Sequence, residues 1–144
     1  MKYHINPKSD KKKLRDKIGK IHLEILKIKH KNFDTCEFCN KKTNRLGRFH
    51  VLNVGEHPRL EYIDKNIILS GWYCCHFKHH HYGSYNPKTK YIEDRLIELL
   101  GPNYRDELLI IEKGMPVMSM FYLECLYHSM ANELKNLQIM KGLS

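Results

Sequence analysis

The N-terminal part of the chain repeats apolar residues at the spacing of an α-helix. Between residues 11 and 31 the apolar positions recur at steps of four, three, four and three. They are Leu14, Ile18, Ile21, Ile25 and Ile28. Such steps place one apolar stripe along a helix, and the other faces here are rich in lysine. We therefore predict a basic amphipathic helix over residues 11–31.

The middle third of the chain alternates short apolar runs with turn-forming residues. Residues 48–54 (Arg-Phe-His-Val-Leu-Asn-Val) have strand character and are followed by Gly55 and Pro58, which break it. A second short strand is expected around residues 67–69, and residues 73–82 contain no breaker, so a helix fits there. The predicted order is strand, loop, strand and helix.

Three further helices are predicted towards the C terminus. Residues 91–100 are followed by Gly101, and residues 104–112 by Gly114, as is typical of helix ends. The last helix covers residues 119–140. Its apolar stripe consists of Leu123, Leu126, Tyr127, Met130, Leu134 and Leu137. The expected fold class is α+β.

The distribution of charge favours a polyanionic partner. The chain has 144 residues and a formal net charge of +9, and residues 1–31 hold eleven Lys or Arg against three Asp or Glu. Basic side chains that neutralise phosphates release condensed counterions, so this block favours nucleic acid, with a merely solubilising surface as the alternative. The residues expected to contact nucleic acid are Lys11, Lys12, Lys13, Arg15, Arg45 and Arg48.

Composition narrows the class of protein further. With 42% hydrophobic and 28% charged residues the chain resembles a soluble globular protein. No stretch approaches the ~20 uninterrupted apolar residues that span a bilayer, and residues 1–13 lack the apolar segment of a signal peptide. We therefore expect a cytoplasmic protein without a membrane partner. Five cysteines, an odd number, argue against a disulfide framework.

The cysteines instead suggest metal binding. Cys36 and Cys39 have the Cys-x-x-Cys spacing with which two thiolates grip one tetrahedral zinc ion from a single turn. Their partners are expected in residues 74–81, which read Cys-Cys-His-Phe-Lys-His-His-His. Residues four apart on a helix point the same way.

This spacing divides the segment into two metal positions. Cys36, Cys39, Cys75 and His79 are expected to close a structural zinc site, with Cys74 as a substitute for Cys75. His76 and His80 remain for a second, open metal position. The alternative is a solvated histidine run that binds metal adventitiously. Trp72, Tyr73 and Tyr82 can stack on bases, although such aromatic residues more often form the minor core of a knuckle.

The order of His50, Asn66 and the Cys75-His76 step resembles the signature of HNH (ββα-metal) nucleases. In that family a two-stranded ribbon and the following helix clasp a divalent cation against the scissile phosphate, and many members contain a zinc knuckle. The resemblance implies that His50 is the general base and that Asn66 pins the loop that holds it. It also implies that His76, together with His80, binds Mg²⁺ or Mn²⁺. A neutral imidazole can accept a proton from water near pH 7.

More narrowly, the chain resembles the phage NinG (Rap) recombination-nuclease family. There a Cys-x-x-Cys knuckle, a strand histidine, a Leu-x-Tyr/Phe-Asp-x-Asn stretch and a Cys-x-x-Cys precede a helix that ends in Gly. Residues 60–66 here read Leu-Glu-Tyr-Ile-Asp-Lys-Asn, and a predicted helix ends at Gly101, so the similarity covers residues 36–109. It implies a phage-encoded enzyme that acts in the host cytoplasm on branched recombination intermediates.

Three features depart from these family patterns. Gly71 or Trp72 stands where the first cysteine of the second knuckle belongs. Phe49, rather than an acidic residue or histidine, precedes the strand histidine. The step from Asn66 to His76 is one residue longer than usual, which leaves the preceding cysteine as an alternative occupant of the catalytic position.

The expected architecture is a small zinc-stabilised ββα-metal core in residues 35–114. A basic helix in residues 1–34 would contact nucleic acid, and a C-terminal helix in residues 115–144 would pack or form a homodimer. The expected activity is metal-dependent hydrolysis of phosphodiester bonds in duplex or branched DNA. The alternatives are a non-catalytic zinc-knuckle protein that binds nucleic acid, and an adaptor that docks through its last helix.

Overall fold

The computed structural model describes residues 7–83 and 86–142. These residues divide into two compact units, of which the middle unit lies within residues 30–115 and the terminal unit consists of residues 7–29 together with residues 116–142.

In the terminal unit, α1 (Pro7–His30) begins four residues before the predicted start. Proline is favourable in the first turn of a helix, because the N–H that it lacks would have no helical partner there. The apolar stripe of α1 buries Ile18 and Ile25, as the periodicity predicts. Lys29 Nζ forms an ion pair with Glu133 Oε1 at 2.9 Å within the same unit.

The other helix of this unit, α5 (Met120–Met140), lies where the apolar pattern predicted it. Ser119 caps its N terminus by accepting a hydrogen bond from the backbone N–H of Tyr122 at 3.1 Å. Leu123 and Met130 of its stripe are buried.

The middle unit contains a two-stranded antiparallel sheet. β1 (Leu46–His50) pairs with β2 (Ile67–Gly71), in a register that runs from Leu46 opposite Gly71 to His50 opposite Ile67. The predicted strand of residues 48–54 thus extends four residues beyond the end of β1 at His50.

The early end of β1 has a local cause. The backbone N–H of Leu52 donates to Asn66 Oδ1 at 2.7 Å, and Asn66 Nδ2 donates to the carbonyl of Leu52 at 3.2 Å. A side chain thus satisfies the polar groups that a neighbouring strand would otherwise bind. The chain leaves the sheet directly after His50.

The segment predicted as one helix over residues 73–82 has two parts. A π-helical turn (Trp72–His76) is closed by the N–H of Phe77 donating to the carbonyl of Trp72, and α2 (Phe77–Tyr82) follows it. Then come α3 (Lys90–Leu100) and α4 (Tyr104–Lys113).

The core of the middle unit lies between the sheet, the cysteine-rich turns and the two later helices. Its buried members are Cys36, Phe38, Phe49, Leu52, Leu60, Ile68, Cys75, Ile92, Leu96, Tyr104 and Leu108. Helices and one small sheet make the fold class α+β, as predicted. Among the described residues, every helix is too short or too polar to cross a membrane.

Candidate metal centre and histidine cavity

The first half of the metal centre is a tight turn at Cys36 and Cys39. The N–H of Asn40 donates to the carbonyl of Cys36 at 2.8 Å, and the N–H of Cys36 donates to the carbonyl of Lys41 at 2.9 Å. Asn40 has a φ of 61°, a left-handed conformation that asparagine tolerates better than most residues. The chain reverses direction at Asn40, and the thiols of Cys36 and Cys39 lie in the same group of cysteines.

Four thiols come together in the middle unit. The Sγ atoms of Cys36, Cys39, Cys74 and Cys75 all lie within 4.8 Å of one another. Cys36 and Cys75 are completely buried. Four cysteines at this separation form a group that can hold one metal ion, and a set of four thiolates suits a closed tetrahedral site.

The fourth member of this group is Cys74, in the place that the sequence analysis assigned to His79. Gly71 makes room for it, because a Cβ at that position would lie 2.5 Å from Cys74 Sγ. The prediction of His79 assumed an α-helix, in which residues four apart point the same way. Cys74 and Cys75 instead lie in a π-helical turn, which holds one more residue per hydrogen-bonded loop, so that spacing does not apply to them. His79 instead lies with Nε2 3.8 Å from Glu93 Oε1.

The proximity of the thiols changes their acidity. A hydrogen bond from Cys75 lowers the pKa of Cys36 to about 4, whereas burial raises the pKa of Cys74 to about 11. The pKa of Cys75 is raised chiefly by that same hydrogen bond to Cys36. Cys36 therefore forms a thiolate readily, whereas Cys74 and Cys75 resist ionisation, with the negative charge of Cys36 as a further contribution. A cation neutralises that charge, so metal binding here releases protons.

A tyrosine supports the cluster from α3. Tyr91 Oη lies 3.2 Å from Cys75 Sγ and donates to the carbonyl of Cys74 at 3.3 Å. Burial raises the pKa of Tyr91, so its hydroxyl stays protonated, and its single proton can go either to the carbonyl of Cys74 or to the sulfur of Cys75. Partners of this kind orient metal ligands.

Glu37, between the first two cysteines, attaches the turn to the sheet. Its N–H donates to the carbonyl of Leu69 at 2.8 Å, and the N–H of Leu69 donates to Glu37 Oε1 at 2.7 Å. Arg95 Nε donates to the carbonyl of Glu37 at 3.1 Å. The turn is therefore fixed to both β2 and α3.

A cavity of about 530 Å³ opens beside the end of β1. Five histidines and one arginine contribute to its lining. They are His50, His57, His76, His79, His80 and Arg105. The cavity thus collects all three histidines that the sequence analysis placed in the catalytic position or its metal pair.

His50, the last residue of β1, is held by the carbonyl of Glu61 at 3.1 Å from its Nε2. A carbonyl only accepts hydrogen bonds, so Nε2 carries the proton and, in the neutral ring, Nδ1 carries the lone pair. Arg48 Nη1 donates to the same carbonyl at 3.1 Å, and its guanidinium lies 5.4 Å from the Tyr62 ring centroid. Burial lowers the pKa of Arg48. This arginine, predicted to contact nucleic acid, is engaged by the loop after β1.

Asn66 ties together the loop between the strands. Its side chain is fully buried, and besides its two hydrogen bonds with Leu52, its Nδ2 donates to the carbonyl of Leu60 at 3.2 Å. The N–H of Val51 also donates to the carbonyl of Asn66 at 2.8 Å. The chain that follows His50 is therefore pinned to the start of β2.

His76 and His80 form a close pair on one face of the helical segment. Their Nε2 atoms lie 3.0 Å apart, and their rings are stacked with centroids 4.8 Å apart. Burial, followed by repulsion from His80 and His79, lowers the pKa of His76 to about 4. Its imidazole is therefore neutral and able to bind a cation. Cys75, the alternative occupant of this position, belongs to the thiol cluster instead.

Phe49 occupies the core rather than the metal position of the family pattern. It is 3% exposed, and its ring meets those of Phe38 and His79 at centroid distances of 4.9 Å. It also contacts His76 edge-on at 5.6 Å. Phe49 thus supports the imidazoles from behind and supplies no ligand to a cation.

Sequence reasoning missed Arg105, which lines the cavity. Arg105 lies in the first turn of α4, and no local signal marks it, since its place on the cavity depends on the path of the chain. A hydrogen bond of 2.9 Å between His57 Nδ1 and Glu112 Oε2 attaches the loop after β1 to α4.

The predicted nucleic-acid contacts fall in both units. Lys11, Lys12, Lys13 and Arg15 lie on α1, in the terminal unit. Arg45 is exposed just before β1 in the middle unit, and its Nη1 donates to Tyr73 Oη at 2.9 Å.

Residues 30–115 thus contain two centres, a thiol cluster and a histidine cavity, which adjoin in sequence at Cys75 and His76. The thiols suit a closed metal site, and the histidines line an open one. Comparisons of this chain with protein-family models, with curated proteins and with solved structures give no significant match.

Proposed function

We propose that the protein is a metal-dependent endonuclease of the HNH (ββα-metal) class that hydrolyses DNA phosphodiester bonds. One observation carries the proposal. His50 ends β1, and Asn66 pins the following loop immediately before β2. The His76 and His80 pair follows β2 and faces the same cavity as His50. Strand, pinned loop, strand and helix with these residue types is the order found in that class.

The four thiols are proposed to hold a structural zinc ion. Four sulfur ligands in a tetrahedral arrangement suit zinc, and a full set of protein ligands leaves no position for a substrate. The cluster joins the first turn to the π-helical turn, and Glu37 joins that first turn to β2. Zinc would therefore stabilise the ends of the sheet and helix that carry the histidines.

His50 is proposed to act as the general base. Its proton is held on Nε2 by the carbonyl of Glu61, so Nδ1 is the nitrogen that carries the lone pair of the neutral ring and would accept a proton from water. Asn66 fixes the loop that includes this carbonyl through its bonds to Leu52 and Leu60. It is therefore a positioning residue.

His76 and His80 are proposed to hold the divalent cation. Bound there, the cation would neutralise negative charge that develops on the phosphate. The two imidazoles leave its remaining positions to water and phosphate oxygens. Since Mg²⁺ prefers oxygen ligands and imidazole suits transition ions, Mn²⁺ is the better match of the two metals expected.

The proposed substrate is DNA, duplex or branched. A net charge of +9 and the arginine at the cavity, Arg105, both favour a phosphate backbone. The likeness of residues 60–66 to the NinG pattern supports a recombination intermediate such as a four-way junction.

The test is cleavage of end-labelled linear duplex, single-stranded and four-way-junction DNA by the wild type and by His50→Ala. Each reaction is run with Mg²⁺, with Mn²⁺ and with EDTA. Metal-dependent cutting that disappears in His50→Ala supports the nuclease. DNA binding without cutting under any condition supports a non-catalytic zinc-knuckle protein instead, for which the replacement of a metal ligand by Phe49 is the observation in favour.

A further inference from the structure

Exposed aromatic side chains form a strip along the helical segment. Phe77 and His81 lie four residues apart on one face of α2, and Tyr73 precedes them in the π-helical turn. Tyr73 is 67% exposed and Phe77 is 52% exposed. The rings of Phe77 and His81 are stacked, with centroids 5.8 Å apart and planes inclined by 7°. These three residues are called the aromatic strip.

The aromatic strip runs beside the proposed cation ligands. Trp72, His76 and His80 also follow at steps of four, and each directly precedes a member of the strip. The ring centroids of Trp72 and His76 lie 4.8 Å apart, as do those of His76 and His80. Successive residues lie on neighbouring faces of a helix, so the face of Phe77 and His81 adjoins the face of His76 and His80.

Positive charge accompanies the exposed rings. The Arg45 guanidinium lies 5.8 Å from the ring centroid of Trp72 and 5.5 Å from that of Tyr73. Lys88 Nζ lies 4.8 Å from the ring centroid of Tyr82 at the other end of the segment. An apolar protein partner would have to bury these charges, whereas a nucleic acid offers bases to the rings and phosphates to the cations.

We propose that the aromatic strip, with Trp72 and Arg45, stacks unpaired nucleobases of the strand that is cut. This inference rests on the proposed function and narrows its substrate class to DNA with a single-stranded segment beside the scissile phosphate. Bases inside a duplex are stacked on each other and do not offer their faces to a protein. Exposed rings therefore select for strands that are already open.

Trp72 makes the proposal measurable because it is the only tryptophan in the sequence. Its fluorescence is followed in His50→Ala protein, which prevents cutting, during titration with an oligothymidylate and with a blunt hairpin duplex. We expect the oligothymidylate to quench Trp72 and the duplex to leave it nearly unchanged.

The decisive variant adds Tyr73→Ala and Phe77→Ala to His50→Ala. The loss of each stacking face is expected to weaken oligothymidylate binding roughly 5- to 150-fold, and the loss of both roughly 30-fold or more, with duplex affinity retained. Phe121→Ala is the matched control, because Phe121 is 77% exposed on α5 in the other unit. It is expected to bind both probes as the parent protein does.

The proposal is overturned if the variant with Tyr73→Ala and Phe77→Ala binds oligothymidylate as tightly as its His50→Ala parent. It is also overturned if Trp72 fluorescence does not change when the single strand is added. Far-ultraviolet circular dichroism and zinc content check that the variant is folded.

If the variant does not fold, Tyr73→Leu with Phe77→Leu is used instead, because leucine keeps an apolar side chain at each position and removes the aromatic faces. Cleavage is measured separately in protein that retains His50. Cutting without any quenching of Trp72 by the single strand contradicts the strip alone, and quenching of Trp72 without cutting contradicts the nuclease alone.

Discussion

A single backbone carbonyl determines the chemistry of His50. The carbonyl of Glu61 accepts hydrogen bonds from both His50 Nε2 and Arg48 Nη1, and Glu61 itself is buried. The tautomer of His50 is therefore set by the fold, and its other nitrogen is the one that can accept a proton. The loop that carries this carbonyl is in turn held by Asn66.

Replacing Asn66 tests how much the fold depends on that loop. Asn66→Ala leaves the N–H and carbonyl of Leu52 and the carbonyl of Leu60 without their buried partner. We expect the free energy of unfolding to fall by at least about 2 kcal/mol, measured by urea denaturation. The exposed Asn44 offers a control, since Asn44→Ala removes an amide from the surface. An Asn66→Ala protein as stable as the control would contradict this role.

The proposed cation pair makes its own prediction. His80→Ala removes one of two imidazoles whose Nε2 atoms lie 3.0 Å apart. The Mn²⁺ concentration for half-maximal cleavage should rise by more than the roughly 10- to 100-fold that the loss of an outer-shell partner costs. His128→Ala, which removes an exposed histidine from α5, should leave that concentration unchanged. An unchanged requirement in His80→Ala would show that the cation binds elsewhere.

At the scale of elements, the π-helical turn is what unites four thiols. Gly71 precedes it with an extended backbone (φ −66°, ψ 132°) that any residue can adopt, so its importance is steric. A Cβ there would meet Cys74 Sγ at 2.5 Å and Cys36 Cβ at 3.6 Å. Position 71 is therefore one that only glycine fills without a shift of Cys74.

Gly71→Ala should accordingly disturb the cluster without straining the backbone. We expect less zinc per chain than in the wild type, measured by atomic emission spectroscopy, and a lower midpoint of thermal unfolding. Gly114→Ala is the matched control, because its added Cβ would lie at an ordinary 3.6 Å from the carbonyl oxygen of Ile111. Equal zinc content in both variants would exclude a close packing of Cys74 against Gly71.

The elements themselves could largely be predicted from the sequence. Apolar periodicity located the long helices, because their stripes include buried residues such as Ile25 and Leu123. The order of the two strands followed from short apolar runs between turn residues. The end of β1 could not be predicted, since it depends on the side chain of Asn66, which lies sixteen residues further along the chain.

The fourth thiol and the arginine of the cavity could not be predicted from the periodicity of apolar residues. The assignment of His79 to the thiol group assumed an α-helical turn, whereas a π-helical turn brings in Cys74. Arg105 reaches the cavity only because α4 folds back towards the loop after β1. Such long-range placements are fixed by packing rather than by local preference.

For the whole molecule, the basic N-terminal segment suggests a further measurement. Lys12 and Lys13 are exposed on α1, and proteins that neutralise phosphates lose affinity as salt rises, with a slope of about −0.9 per phosphate in a plot of log affinity against log salt. Lys12→Gln with Lys13→Gln should weaken DNA binding for every sequence and flatten this slope by about 1 per lysine in contact with a phosphate.

The control for this experiment is Lys135→Gln with Lys141→Gln, which removes the same charge from exposed positions in and after α5. Binding is followed by fluorescence anisotropy of a labelled duplex over a range of salt concentrations. Identical slopes for the two double variants would mean that the charge acts only through the net field of the protein and that α1 makes no specific phosphate contacts.

His50 is proposed to activate water for metal-dependent hydrolysis of DNA. The most direct measurement is the single-turnover rate of cleavage of a labelled four-way junction in Mn²⁺ by wild type, His50→Ala and His128→Ala. We predict that His50→Ala cuts roughly 100- to 10,000-fold more slowly while it binds the junction equally well, and that His128→Ala cuts at the wild-type rate. Cutting by His50→Ala at the wild-type rate, or cutting that persists in EDTA, would contradict the claim.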